Sequence, residues 1–284
     1  MRRVPTILLF ALLCVAIGAE DQTRAETPAL RLGIMPFAPP EVILRQFGHL
    51  KDYLESALGR HVAILSANDY GSFATRLLDD SYDVVFTAPH LGLLGQSRGR
   101  WRPLVRSGIQ VKAVLLVRSD RKFASVQDLR GKLVATPDPL ALVTFIAEEE
   151  LAKLRLRPGA ALTVTHTPSH ETAMLLAARG LVDAAVTVPI LLERLPLSTR
   201  RQLVVLHTFP ERFALVYMAS TRLDAPVQSR LQTLLLAFPD SPQGQAFFSV
   251  GTPQRYFPLD EAALQLYAPM LPSLLERVQQ ASAE

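Results

Sequence analysis

The feature that most constrains this chain is a strand–loop–helix grammar that runs through it twice, with the second run nested inside the first. Short apolar segments end in polar or Pro-containing loops, and an amphipathic helix follows each. Leu30–Met35 reads as a strand, with Pro36–Pro40 as the loop at its end. Ile43, Phe47, Leu50, Leu54 and Leu58 recur at helical spacing over 41–58, and Gly59 stops that helix. His61–Ala67 is predicted as the next strand, 71–79 as a short helix and Tyr82–Phe86 as a third strand. Strands alternating with helices call for a parallel sheet.

An extended segment near Val111–Val117 leaves this block, and another near Phe213–Met218 returns to it. Between them the grammar repeats. Ser125-Val126-Gln127-Asp128 has the capping-box pattern of a helix start. Leu133–Thr136 is predicted as a buried strand, with a long helix over 140–154 begun by Asp138-Pro139. Leu162–Thr167, Val182–Val188 and Leu203–His207 complete the strands, with helices at 170–179, closed by Gly180, and near 190–195. After 218 the pattern is mainly helical. Asp224 is placed to cap a helix with Pro226 in its first turn, and a tail helix over 260–280 is broken near Pro269 and Pro272. The expected architecture is α/β with two lobes, each a mostly parallel sheet flanked by helices, joined by two crossover strands. Residues 28–109 and 213–284 form the first lobe and 110–212 the second. In such folds ligands bind at the C-terminal ends of the strands.

The first nineteen residues have the chemistry of a secretion signal. Arg2 and Arg3 are positive, Ile7 to Ile17 is uncharged and apolar, and Ala16, Gly18 and Ala19 are small enough for cleavage. An uncleaved anchor is the alternative, although the run is shorter than a membrane span of about 20 residues. Cys14 is the one cysteine, so cleavage leaves no thiol for a disulfide or a nucleophile. Leu13 before it lacks the small side chain of a lipidation site. Lys and Arg number 30 against 26 Asp and Glu, and they are scattered with no aromatic-interleaved stripe, which excludes nucleic acid as a natural partner. Export places the protein in the periplasm.

The ordered motifs LRLGIMPF, ANDYGSFATRLLDDSYDVVFTAPHLGLL, SVQDLRGKLVATPDP, PSHETAMLLAARGLVDAAV and SPQGQAFFSVGTPQRYFPL carry a resemblance over most of the chain. The sequence resembles the phosphonate/phosphite-type solute-binding proteins of bacterial ABC transporters, of the class II periplasmic fold. That resemblance implies capture of a small ligand between two closing lobes, no cofactor and no catalysis. It implies delivery to a membrane permease with its ATPase, by a protein read as a monomer. A sensor kinase as the output partner is the alternative, and an enzyme on the same fold is a third reading. In the resembled family a Ser/Thr-rich turn follows the Asp-Pro segment and holds the ligand's oxygens. Here Leu140-Ala141-Leu142-Val143 stands there, which opens the reading to a less charged or more apolar ligand beside a phosphonate-like oxyanion.

Strand-end loops nominate the contacts. Phe37 follows the first strand as a cleft-wall aromatic or a loop residue packed on its own lobe. Tyr70 offers a ring and a hydroxyl. Thr87 and His90 lie where the third strand meets the next helix. Thr136 and Asp138 flank the turn of the second block, Asp138 most simply as an N-cap. Ser169 and His170 open a helix, and His170 matches a ligand-facing histidine of the resembled family, against capping or solvent exposure. Thr187 ends a strand. His166 and His170 are four apart but separated by Pro168, which argues against a metal pair on one helix. No Gly-rich phosphate loop or nucleophile elbow is present.

Overall fold

A computed structural model describes residues 28–249 and 255–281. The predicted leader and lead-in, 1–27, lie outside the described residues. Thirteen strands occur among those described: β1 Leu30–Ile34, β2 Val62–Leu65, β3 Val84–Thr87, β4 Trp101–Ser107, β5 Gln110–Val111, β6 Val114–Arg118, β7 Leu133–Thr136, β8 Thr163–His166, β9 Ala184–Thr187, β10 Leu203–Thr208, β11 Arg212–Phe213, β12 Val216–Ser220 and β13 Tyr256–Pro258. They form a six-stranded sheet in the order β13-β4-β12-β3-β1-β2 and a five-stranded sheet β10-β6-β9-β7-β8. A two-stranded ladder, β11-β5, lies on the two crossings between them.

The expected crossovers are interrupted. Val111–Val117 divides into β5 and β6, and Phe213–Met218 falls across β11 and β12. Both main sheets are mixed rather than mostly parallel. β1 pairs in parallel with β2 and β3, and β7 with β8 and β9, where strand and helix alternate. The strands that enter or leave by a crossing, β12 and β6, pair antiparallel with both neighbours. A chain that comes back through a hinge re-enters the sheet from the opposite end, and that reverses its direction.

Period-two alternation distributes the strand side chains between two faces. Leu30, Leu32 and Ile34 join Ile43, Phe47, Leu50 and Leu54 of helix Pro40–Leu58 in one apolar cluster. That helix closes on Gly59, whose left-handed φ of 60° lets its N–H reach the Glu55 carbonyl at 2.9 Å. On the opposite face Phe73, Leu77, Leu91 and Leu94 pack with the C-terminal residues Tyr267, Met270 and Leu274, as expected for a tail docked on the first lobe. In the second sheet Val114 and Leu116 face Ala173, Met174 and Ala177 of helix His170–Ala178. Leu115 and Val117 face Phe145, Ile146 and Leu151 of helix Leu142–Lys153. The cluster on that last face is continuous with the first lobe's, so apolar packing crosses from one lobe to the other.

Two caps differ from their sequence reading. Asp224 occupies the N-cap position of helix Ala225–Ala237 but makes no capping bond. The predicted helix over 140–154 starts at Leu142 with Ala141 as its N-cap, because Asp138 Oδ1 accepts the Leu140 N–H at 2.7 Å and holds a turn ahead of it.

Gly33 in β1 is set by close approach, since a Cβ there would lie 2.6 Å from the Tyr82 ring. Tyr82 is fully buried and stacked on Phe73 at 5.3 Å, so it has no room to yield. Gly33→Ala is expected to cost about 1–3 kcal/mol in urea unfolding. Unchanged stability would show that the strand relaxes around the methyl group.

Candidate ligand-binding cleft

Six helices begin just past the C-terminal ends of parallel strands: Pro40–Leu58, Tyr70–Leu78 and Pro89–Ser97 after β1, β2 and β3, and Leu142–Lys153, His170–Ala178 and Pro189–Glu193 after β7, β8 and β9. Their turns carry every residue nominated from the sequence. The lobes meet there. His90, the second residue of its helix, is fully buried, and its Nε2 lies 3.0 Å from the Leu140 carbonyl of the other lobe. A carbonyl only accepts, so Nε2 carries the hydrogen and donates it, which leaves Nδ1 as a bare lone pair. That Nδ1 has no hydrogen-bond partner within the protein. The ring also packs on Phe145, centroids 5.1 Å apart. Burial pulls the imidazole down to about 4, the Leu140 bond opposing only in part.

Thr87 ends β3, fully buried, and its Oγ1 also lacks a partner. An unsatisfied buried polar atom costs about 1–3 kcal/mol, so two at one turn call for an explanation. Tyr70, half-buried, opens helix Tyr70–Leu78. Burial, with the Asp138 carboxylate of the second lobe adding to it, pushes its phenol up to about 12. In the second lobe His170 Nδ1 lies 3.1 Å from Thr187 Oγ1, and Thr187 is fully buried at the end of β9. Burial takes His170 down to about 4. At neutral pH Tyr70, His90 and His170 are therefore uncharged.

Three nominated residues sit differently. Ser169 is exposed, and its Oγ accepts the Thr172 N–H at 3.1 Å, so it is a helix cap. Thr136 is buried but bonded within its own lobe, 2.8 Å from His166 Nδ1. Phe37 is 42% exposed and packs edge-on against Phe47 and Phe86, both centroids 6.2 Å away. His166 is exposed and engaged with Thr136, and no metal-ligand cluster occurs among the described residues.

Leu140, Ala141, Leu142 and Val143 are all buried in the cluster that crosses the lobes. The next hydroxyl along the chain, Thr144 Oγ1, donates to the Asp138 carbonyl at 3.0 Å. The four side chains of this turn are therefore hydrocarbon only, with no hydroxyl to offer. Sequence reasoning missed the residue that fastens the lobes, Arg277 on the C-terminal helix. Its guanidinium donates to the Pro139 carbonyl at 2.7 Å and to Glu148 Oε2 at 2.6 Å, and it lies 4.7 Å over the Phe145 ring. Desolvation raises Glu148 and Asp138, and Arg277 opposes both shifts. A sequence gives no signal for a partner more than a hundred positions away.

The family model of the periplasmic phosphonate substrate-binding proteins of ABC transporters matches residues 32–264. The chain belongs to this family. Solved structures show the same class II periplasmic binding fold. XAC2383 from Xanthomonas citri, bound to ATP, is 20% identical over 90% of this chain and 99% of its own, with a TM-score of 0.74. A phosphonate-transporter binding component from Pseudomonas aeruginosa is 16% identical over 91% and 98%, with a TM-score of 0.69. PhnD1 from Prochlorococcus marinus, in complex with methylphosphonate, is 14% identical over 87% and 98%, with a TM-score of 0.73. As a member of this family the chain is a small-ligand-binding component of an ABC transporter.

Two outcomes follow from the geometry. Arg277→Ala leaves Glu148 desolvated with its cation gone, a penalty that opening of the lobes relieves. Small-angle scattering of the ligand-free variant is expected to give a larger radius of gyration than wild type, and superimposable curves would remove Arg277 from closure. The second outcome concerns His90, which takes its proton near 4 in the folded state and near 6.5 when free. The unfolded chain binds more protons in that window, so His90 adds stability that is complete above 6.5 and lost as pH falls toward 4. In His90→Gln this contribution vanishes. The stability gap between wild type and variant is expected to shift toward the variant by about 3 kcal/mol across the window. Parallel urea-denaturation curves at each pH would contradict the neutral, buried histidine.

Proposed function

We propose that the chain captures a small, hydrogen-bonding ligand at the strand-end turns where the lobes meet. Residues 28–109 and 213–284 act as one jaw and 110–212 as the other. Tyr70, Thr87 and His90 contact the ligand from the first jaw, and His170 and Thr187 from the second, while Thr136 braces the turn and Phe37 stands at the mouth. The observation that carries this reading is the pair of fully buried, unpartnered atoms, Thr87 Oγ1 and His90 Nδ1. A bare Nδ1 accepts and cannot donate. The matching ligand therefore offers a donor, such as a hydroxyl or a protonated oxyanion oxygen. No cationic side chain is among these contacts, so a fully ionised dianion is disfavoured and a neutral or singly charged molecule fits. The protein acts by binding alone, as a monomer, after export directed by residues 1–19. It hands its ligand to a permease driven by an ATPase.

Calorimetry with methylphosphonate, phosphite and small neutral polyols tests the reading. Thr87→Val removes one hydrogen bond while preserving volume, and about tenfold weaker binding of the preferred ligand is expected. Equal affinity in wild type and variant would take Thr87 out of the site. Sensing through a kinase is the second reading, favoured by the buried apolar stretch Leu140–Val143 in place of hydroxyls. A deletion strain with normal uptake and lost gene induction would select it.

A further inference from the structure

A separate cavity of about 620 Å³ opens at the mouth of the cleft, and both lobes build it. The first lobe contributes Phe37 and, one turn apart on helix Pro40–Leu58, Arg45 and His49; the C-terminal segment adds Phe247. The second lobe contributes Leu191 and Arg194, at the end of helix Pro189–Glu193. None of the described lining residues is an Asp or a Glu. Among the described residues, the side chains of Arg45, His49 and Arg194 make no hydrogen bond or ion pair. Three other guanidiniums of the protein pair with carboxylates: Arg31 with Asp83, Arg212 with Glu149 and Glu150, and Arg277 with Glu148.

Two guanidiniums that line one concavity from opposite lobes favour an anion between them. Guanidinium groups take phosphate-type oxygens in a bidentate fork. The exposed face of Phe37, held edge-on by Phe47 and Phe86, supplies an aromatic wall beside them. We propose that this cavity is a second ligand site, for an anion that carries an aromatic ring. The charge lies between Arg45 and Arg194, and the ring lies against Phe37. Because the two arginines belong to different lobes, the bound anion also holds the lobes together. The site uses neither Thr87 nor His90, and Phe37 is the one residue it shares with the strand-end site.

Calorimetry with phenyl phosphate, inorganic phosphate and phenol separates the contributions of charge and ring. Wild type is expected to bind phenyl phosphate at least about tenfold more tightly than either fragment, with affinity falling as salt is added. The double variant Arg45→Ala/Arg194→Ala is expected to lose about tenfold or more, while Thr87→Val stays within about twofold. Both arginines are exposed, so the melting curve of the double variant should match wild type and certify its fold. Undiminished affinity in the double variant overturns the proposal, as does the absence of saturable phenyl phosphate binding by wild type. Loss confined to Thr87→Val also overturns it, and assigns the anion to the enclosed site instead.

Discussion

Everything in this fold depends on one strand that arrives late. β12, Val216–Ser220, is fully buried and sits between β3 and β4, bonded antiparallel to each. Without it the six-stranded sheet falls into two pieces, β13-β4 and β3-β1-β2. Its alternating side chains serve both faces, Tyr217 and Ala219 in one apolar cluster and Val216 and Met218 in the other. The second lobe is thus an insertion whose two ends are clamped by the first. Val216 pairs in register with Thr87, so the same strand that completes the sheet also fixes the base of the candidate site.

Desolvation decides the chemistry of the cleft. It outweighs every other influence on His90, His170, Tyr70, Asp138 and Glu148, and in each case it favours the uncharged form. Arg277 is the cation that compensates, and it is spent on a carbonyl and a carboxylate that close the lobes. Recognition in such surroundings rests on directed hydrogen bonds, which are electrostatically stronger at low dielectric and costly when left unmade. Leu140–Val143 fit this regime, because hydrocarbon beside the unpaired groups excludes the water that would otherwise satisfy them.

Period and capping chemistry made much of this legible in advance. The stripe Ile43, Phe47, Leu50 and Leu54 is buried as its spacing requires. Ser125 and Asp128 form both arms of the capping box, on a single 3-10 turn. β4 was not legible. Arg102 and Arg106 break its apolar pattern, and Pro103 normally argues against an interior strand. It is tolerated because the ladder between β12 and β4 shifts register beside it, between Tyr217 and Met218. At the site, position in the chain found the strand ends that converge but not which side chains turn inward. Ser169 and His170 are adjacent, yet one caps a helix in solvent and the other meets Thr187. Long-range partners such as Arg277 with Pro139 leave no local trace.

The joint between the lobes has its own consequence. β5 and β11 meet through only two register pairs, Val111 with Arg212 and Gln110 with Phe213. Arg212 is nearly fully buried and gripped by Glu149 and Glu150 on a helix of the second lobe. The ladder is tied to both bodies, because the carbonyl of Phe213 accepts the Tyr267 hydroxyl of the first lobe and the two rings meet edge-on at 5.0 Å. Any swing of one lobe against the other has to bend this two-pair ladder between its two anchored ends. With both ends held, such a bend has few directions open to it, and the joint works as a guided pivot rather than a loose tether.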